Sequence, residues 1–190
     1  MTTTRSRLSP VDPADFTPAD RDLYDQVTSG RFNPNGPTAI WSRNPRLAVA
    51  ALDFGDYVRW NSTLDPLVRE LVVLTTAVAW DCENEWVPHE ALAREAGAGD
   101  ELLEAVRDGA PLPSDDPLTL AAVAFARRLH EDRDVDDETY DDLHHLAGDR
   151  GIVDIISTIG FYTMIAMLLK GTRAPLTRPA AAVAHEGEPV

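Results

Sequence analysis

The chain has 190 residues, 44% hydrophobic and 26% charged, and 32 acidic side chains against 17 basic ones give a formal net charge of −15. That length suits one domain with a sizeable core, and the acid excess argues against partners recognised through clustered Lys and Arg, whether nucleic-acid backbones or anionic membranes. The single cysteine, Cys82, cannot make an intrachain disulfide, so no oxidising compartment is implied and a cytoplasmic protein is expected.

Residues 1–16, MTTTRSRLSPVDPADF, are polar and proline-punctuated and read as an extended N-terminal arm without a signal-peptide core. From there one helix-start signal recurs: a capping residue followed by proline, at Thr17-Pro18, Asn44-Pro45, Asp65-Pro66 and Asp116-Pro117. The cap oxygen accepts a free backbone N–H, and proline at the first helical position sacrifices no helical bond. Asp100 and Asp136 start two further helices without proline, and Gly30, Gly97, Gly109, Gly148 and Gly171 stop them. The signals and the apolar spacing between them predict helices near 18–29, 45–60, 66–80, 84–96, 100–108, 117–132, 137–147 and 150–170. Loop Gly30 to Pro37 is rich in turn formers and reads as stiff. Strand-like alternation is absent, so the fold class is all-α: a single-domain bundle of about eight helices over 17–171, with a tail at 172–190.

Two helices are apolar around most of their circumference, LVRELVVLTTAVAW and the one over 150–170, which places them in a core or at a subunit interface. The second is interrupted by Asp154, Ser157, Thr158 and Gly160 and reads as a buried helix rather than a membrane span. The acidic run DRDVDDETYDDLHH reads as a solvated face.

Chemistry-bearing residues concentrate in DCENEWVPHEALAREAG. Cys82, Glu85 and His89 stand at i, i+3 and i+7, on one face of a helix. Glu70 lies inside the apolar helix before them; facing the core, it must be paired, hydrogen-bonded or protonated, and facing water, it pairs with Arg69. Cys82 at a helix N-terminus is either an activated thiol or a small buried hydrophobe. His89 is a general acid–base or a satisfied ring; Glu85 orients it or complements the helix dipole. Pro88 beside His89 predicts an unusual turn, easier to place if the regular helix starts near Glu85. Glu70, Glu85 and His89 include metal-ligand types but lack a short two-histidine spacing, so no metal is assigned. His130, His144, His145 and His185 form no ligand spacing with His89.

The run RELVVLTTAVAWDCENEWVPHEALAREAG resembles the carboxymuconolactone decarboxylase and alkylhydroperoxidase-D superfamily, and NPRLAVAALDFGDYVRWNSTLDPLVREL resembles the segment before the glutamate in the decarboxylase branch. The likeness spans roughly Asn33 to Gly171. Peroxidase members carry C-x-x-C-x-x-x-H; here the pattern is Cys82-x-x-Glu85-x-x-x-His89, so a dithiol–disulfide cycle within one chain is unavailable. The resemblance implies an all-helical homo-trimer or homo-hexamer. It also implies a cofactor-free lyase or isomerase moving protons on a small carboxylated or lactone substrate. His89 is then the general acid–base, Glu70 its orienting partner and Glu85 a second carboxylate. Trp80, Trp86, Tyr57 and Tyr162 are expected as an apolar wall, with Arg59 holding a substrate carboxylate. Two alternatives stand beside this: a one-cysteine peroxidase or thiol redox protein using Cys82, and a non-catalytic ligand-binding oligomer.

Overall fold

In a computed structural model, residues 6–29 and 36–176 are described. They form eight helices: α1 Pro18–Thr28, α2 Pro37–Trp41, α3 Pro45–Asp56, α4 Pro66–Ala79, α5 Glu83–Glu95, α6 Asp100–Asp108, α7 Pro117–Asp132 and α8 Asp137–Thr172. A 3₁₀ turn, Pro13–Asp15, precedes α1, and a π turn, Tyr57–Asn61, extends α3. No strand occurs among the described residues. The expected all-α class is therefore the observed one.

The caps account for the boundaries. Thr17, Asn44, Asp65, Asp116 and Asp136 each accept a first-turn amide N–H through the side chain, and Pro18, Pro45, Pro66 and Pro117 follow the first four. Asp100 is not a cap: Gly99 holds that place, and Asp100 pairs with Arg94 at 2.6 Å. Gly109 and Gly97 take left-handed or otherwise positive φ after their helices. Gly171 does not stop α8, which runs on to Thr172 and ends where Arg173 turns left-handed. Gly148, at φ 65° and ψ 178°, breaks α8 into the two runs that the sequence separates. Gly30 and most of the loop that follows lie outside the described residues.

Helix α4 is the axis of the bundle. Leu71, Val72, Val73 and Leu74 are all fully buried, which a helix achieves only when covered on every side. Its faces feed three apolar clusters. Val73 joins Trp41, Ala48, Phe161 and Tyr162; Val68 and Val72 join Phe125, Leu143 and Ile155; Leu71 and Leu74 join Trp86, Leu103 and Val106. By length and hydropathy alone α8 is able to cross a membrane, but 56% of its most apolar stretch is buried inside the bundle. The arm is tied down at residue 7, whose N–H donates to the carbonyl of Thr172 at 2.9 Å.

Candidate active site

Glu70 sits in the middle of α4 and His89 in the middle of α5, and the packing of the two helices brings their side chains together. His89 Nδ1 lies 2.6 Å from Glu70 Oε2, both side chains buried. Nδ1–H donates to the carboxylate, which turns Nε2 the other way. Tyr162 of α8 packs edge-on against the imidazole, with ring centroids 4.7 Å apart. Arg69 adds a contact from Nε to Glu70 Oε1 at 3.2 Å. Glu70 thus has both partners that the sequence offered as alternatives, a core imidazole and the adjacent guanidinium. Burial alone would raise its carboxyl, but the hydrogen bond and charge of His89, with Arg69, hold it below the usual glutamate value.

Glu85 behaves in the opposite way. It lies one turn before His89, 6% exposed, with Oε2 3.7 Å from His89 Nε2. That gap exceeds a hydrogen bond, so the two groups are close neighbours without being bonded to each other. Burial pushes its carboxyl up to about 8, opposed only by the charge of Arg59. Near neutral pH the site therefore holds one carboxylate, Glu70, and one carboxylic acid, Glu85. Burial likewise pushes the Tyr162 phenol up.

Glu85 and His89 line a cavity of about 280 Å³ whose other walls include Trp41, Phe161, Tyr162 and Arg59. Glu70 lines a separate, outer basin of about 410 Å³, together with Arg59, Arg69 and Trp60. The paired Glu70 and His89 therefore stand between two hollows. The Arg59 guanidinium borders both, and among the described residues it forms no hydrogen bond or ion pair.

Several expected site residues lie elsewhere. Trp86 turns into the cluster between α4, α5 and α6, donates Nε1–H to Glu90 and stacks under Arg107, so it is no cavity wall. Trp80 packs at the edge of another cluster, and Tyr57 is partly exposed with its hydroxyl on Asp154; neither lines the cavity. Of the four proposed aromatic walls only Tyr162 has that place. Cys82 caps α5 rather than continuing the face of Glu85 and His89, and it borders a different surface hollow beside Lys170 and Arg173. Its thiol is 4% exposed, and burial raises it above its ordinary value. Helix α5 begins at Glu83, so Pro88 falls inside it, and the Asn84 carbonyl lacks its helical donor.

Sequence reasoning missed Trp41 and Phe161 as cavity walls. Trp41 ends a five-residue helix announced by Gly36-Pro37, a weaker signal than the other caps because glycine offers no capping oxygen. Phe161 was legible as core, but its position at the cavity follows from the bend of α8 at Gly148. Among the described residues no three His, Cys, Asp or Glu side chains converge as a metal site.

The sequence model of the carboxymuconolactone decarboxylase family matches residues 45–128, the stretch that holds α3 to α5, Glu70 and His89. No curated protein matches this chain. Among solved structures, an uncharacterized peroxidase-related protein from Silicibacter sp. TM1040 superposes with a TM-score of 0.71 at 20% identity, covering 93% of this chain and 95% of that one. A peroxidase-related protein from Ralstonia eutropha JMP134, described as an alkylhydroperoxidase AhpD core, gives 0.71 at 20% identity over 90% and 92%. The debrominase Bmp8, as a cysteine-to-alanine variant in complex with 2,3,4-tribromopyrrole, gives 0.70 at 14% identity over 92% and 94%. At these identities the likeness establishes a shared AhpD-like helical fold and leaves the chemistry to the site.

Proposed function

We propose that this protein is a member of the carboxymuconolactone decarboxylase family, whose model matches residues 45–128, and that it is a cofactor-independent lyase or isomerase that moves protons on a small carboxylated or lactone substrate. The observation that carries this reading is the placement of two buried carboxyl groups beside one buried imidazole, Glu70 at 2.6 Å from Nδ1 and Glu85 at 3.7 Å from Nε2, in surroundings that hold the first below and push the second above the ordinary glutamate value. Titratable groups whose environments push them apart mark acid and base roles.

The chemistry follows from the atoms. His89 Nε2 faces the cavity while Nδ1–H is held by Glu70, so a proton taken from substrate carbon leaves an imidazolium stabilised by an adjacent carboxylate. The electron pair passes to the substrate carbonyl, and the Glu85 hydroxyl donates a hydrogen bond to that developing oxyanion. Return of the proton at a second carbon completes an isomerisation. In the decarboxylating case the carbon–carboxylate bond breaks instead, CO2 leaves with no external oxidant or reductant, and the electron pair left on carbon takes the Glu85 carboxyl proton. Arg59 would hold the substrate's anionic group at the cavity mouth.

The thiol reading has weaker support, because Cys82 is buried, raised in pKa and turned to a different hollow. The test is turnover by His89→Gln and Glu70→Gln on a panel of carboxylated lactones and β,γ-unsaturated acids, read as CO2 release and as carbon-bound deuterium in D2O. Losses of about 10²- to 10⁴-fold in each variant are expected for general acid–base groups. Unchanged rates in both would end the proposal.

The proposal extends to assembly. Val153, Ile156, Met164 and Met167 are exposed along one stripe of α8, next to exposed Phe54, and contiguous apolar surface of this kind marks an interface. Further copies of this chain, as a trimer or hexamer, would cover it. Sedimentation equilibrium giving a monomer at micromolar concentration would refute this part.

A further inference from the structure

Among the described residues Arg59 has no hydrogen bond or ion pair; its one side-chain contact of charge is with the exposed ring of the adjacent Trp60, 5.4 Å from guanidinium carbon to ring centroid, and both residues ride on the same backbone turn, so that turn sets its aim. It is the π turn Tyr57–Asn61, in which the N–H of Ser62 reaches back to the carbonyl of Tyr57 at 2.9 Å. Single π turns are wider than the α-helix and recur at functional sites. This one ends α3 in a short loop with an exposed Trp60, 67% accessible, so little packing of its own would hold it.

One buried carboxylate on α8 grips the turn from both sides. Asp154, 2% exposed, accepts the hydroxyl of Tyr57 on Oδ1 at 2.8 Å. Its Oδ2 accepts both the backbone N–H and the hydroxyl of Thr63, each at 2.7 Å. Tyr57 is the first residue of the π turn and Thr63 lies just beyond its end, so Arg59 is bracketed. The carboxylate itself lines neither hollow. Burial would raise it, and the three hydrogen bonds with the charge of Arg150 outweigh that and keep it ionised.

We infer that Asp154 is a positioning residue for substrate recognition: through Tyr57 and Thr63 it fixes the π turn that carries Arg59 and Trp60, so that the Arg59 guanidinium, which has no carboxylate partner among the described residues, is aimed at the carboxylate of a planar acid bound against Trp41, Phe161 and Tyr162. This deepens the proposed function and rests on it. Preorganising a charged group on a clamped backbone removes the ordering cost that a flexible arginine would bear on binding. Loss of the clamp should therefore weaken recognition of the anionic group and leave the Glu70–His89 pair intact.

Benzoate and its uncharged methyl ester serve as probes, titrated by calorimetry into the full-length protein and its variants. Asp154→Asn is expected to weaken benzoate about tenfold while leaving the ester within about twofold. Thr63→Val and Tyr57→Phe, which each remove one hydroxyl and keep the backbone donor, should give smaller losses of the same kind and cover the case in which Asp154→Asn fails to fold. In an Arg59→Gln background the Asp154, Thr63 and Tyr57 changes should have no further effect on benzoate, an outcome that a general structural role would not produce. Equal weakening of acid and ester, additive losses in the Arg59→Gln background, or no benzoate binding to the parent protein would each overturn the inference. Retained benzoate coupling with full activity in His89→Gln would instead sink the acid–base reading and spare this one.

Discussion

Replacing Glu85 by Gln tests the acid–base assignment without any substrate. Burial keeps the folded Glu85 carboxyl protonated up to about 8, against an ordinary value of 4.5. Between those values the unfolded chain has released a proton that the folded chain retains. The unfolded state therefore binds fewer protons, and folding stability falls as pH rises. Each pH unit in that window costs about 1.36 kcal/mol, so a rise from about pH 5.5 to 8 removes roughly 3 kcal/mol; above 8 both states ionise and the loss stops. Glutamine has the same shape and no proton to lose, so Glu85→Gln lacks this slope. Urea unfolding of parent and variant at fixed protein concentration, at pH values from about 5.5 to 8.5, reads the difference directly. Taking the difference cancels the other titrating groups, among them His130, whose ring burial pushes down. The variant should gain about 3 kcal/mol on the parent across the series. Two stability curves that stay parallel within about 0.5 kcal/mol would show that Glu85 ionises as an exposed glutamate does, and the pairing of one acid with one base would fall.

Other expectations follow from single contacts. A Cβ added at Gly55 would stand 2.8 Å from Phe161 Cζ, so Gly55→Ala should push that ring into the cavity and cost about 1–3 kcal/mol of stability, read by thermal unfolding. Cys82 in the native protein should react with a disulfide reagent at least about 100-fold more slowly than in urea, since the thiol is buried and raised; a fast stoichiometric reaction would return it to the list of active groups. Leu74→Ala, at a fully buried site on the bundle axis, should cost about 2–5 kcal/mol, and a loss below about 1 kcal/mol would contradict the role given to α4.

Most of the helical framework was legible because the chain announces its starts with capping oxygens and prolines, which act locally. The Thr17, Asn44, Asp65, Asp116 and Asp136 caps needed no tertiary information. The two features that were not legible, α2 and the π turn, depend on contacts far along the chain: Trp41 against Phe161, and Tyr57 and Thr63 against Asp154. The same distinction divides the site. Glu70, Glu85 and His89 were identifiable because a carboxylate within an apolar helix and an imidazole one turn from a carboxylate are conspicuous in one dimension. The aromatic walls were not. Trp86 was expected at the site and Phe161 only as part of a buried helix, and the packing of the helices decides which ring meets the cavity. Cys82 stands at the N-cap of α5, before the regular turns that carry Glu85 and His89, and lines a different hollow from theirs.

If the proposed acid–base chemistry operates, the position of the Glu70–His89 pair between the two hollows has a kinetic consequence. A proton delivered to the bound molecule on the inner side can be replaced through the carboxylate on the outer side, with no need to uncover the substrate. Recharging and release are then separable steps, and a slow-leaving product would not hold back the reset of the enzyme.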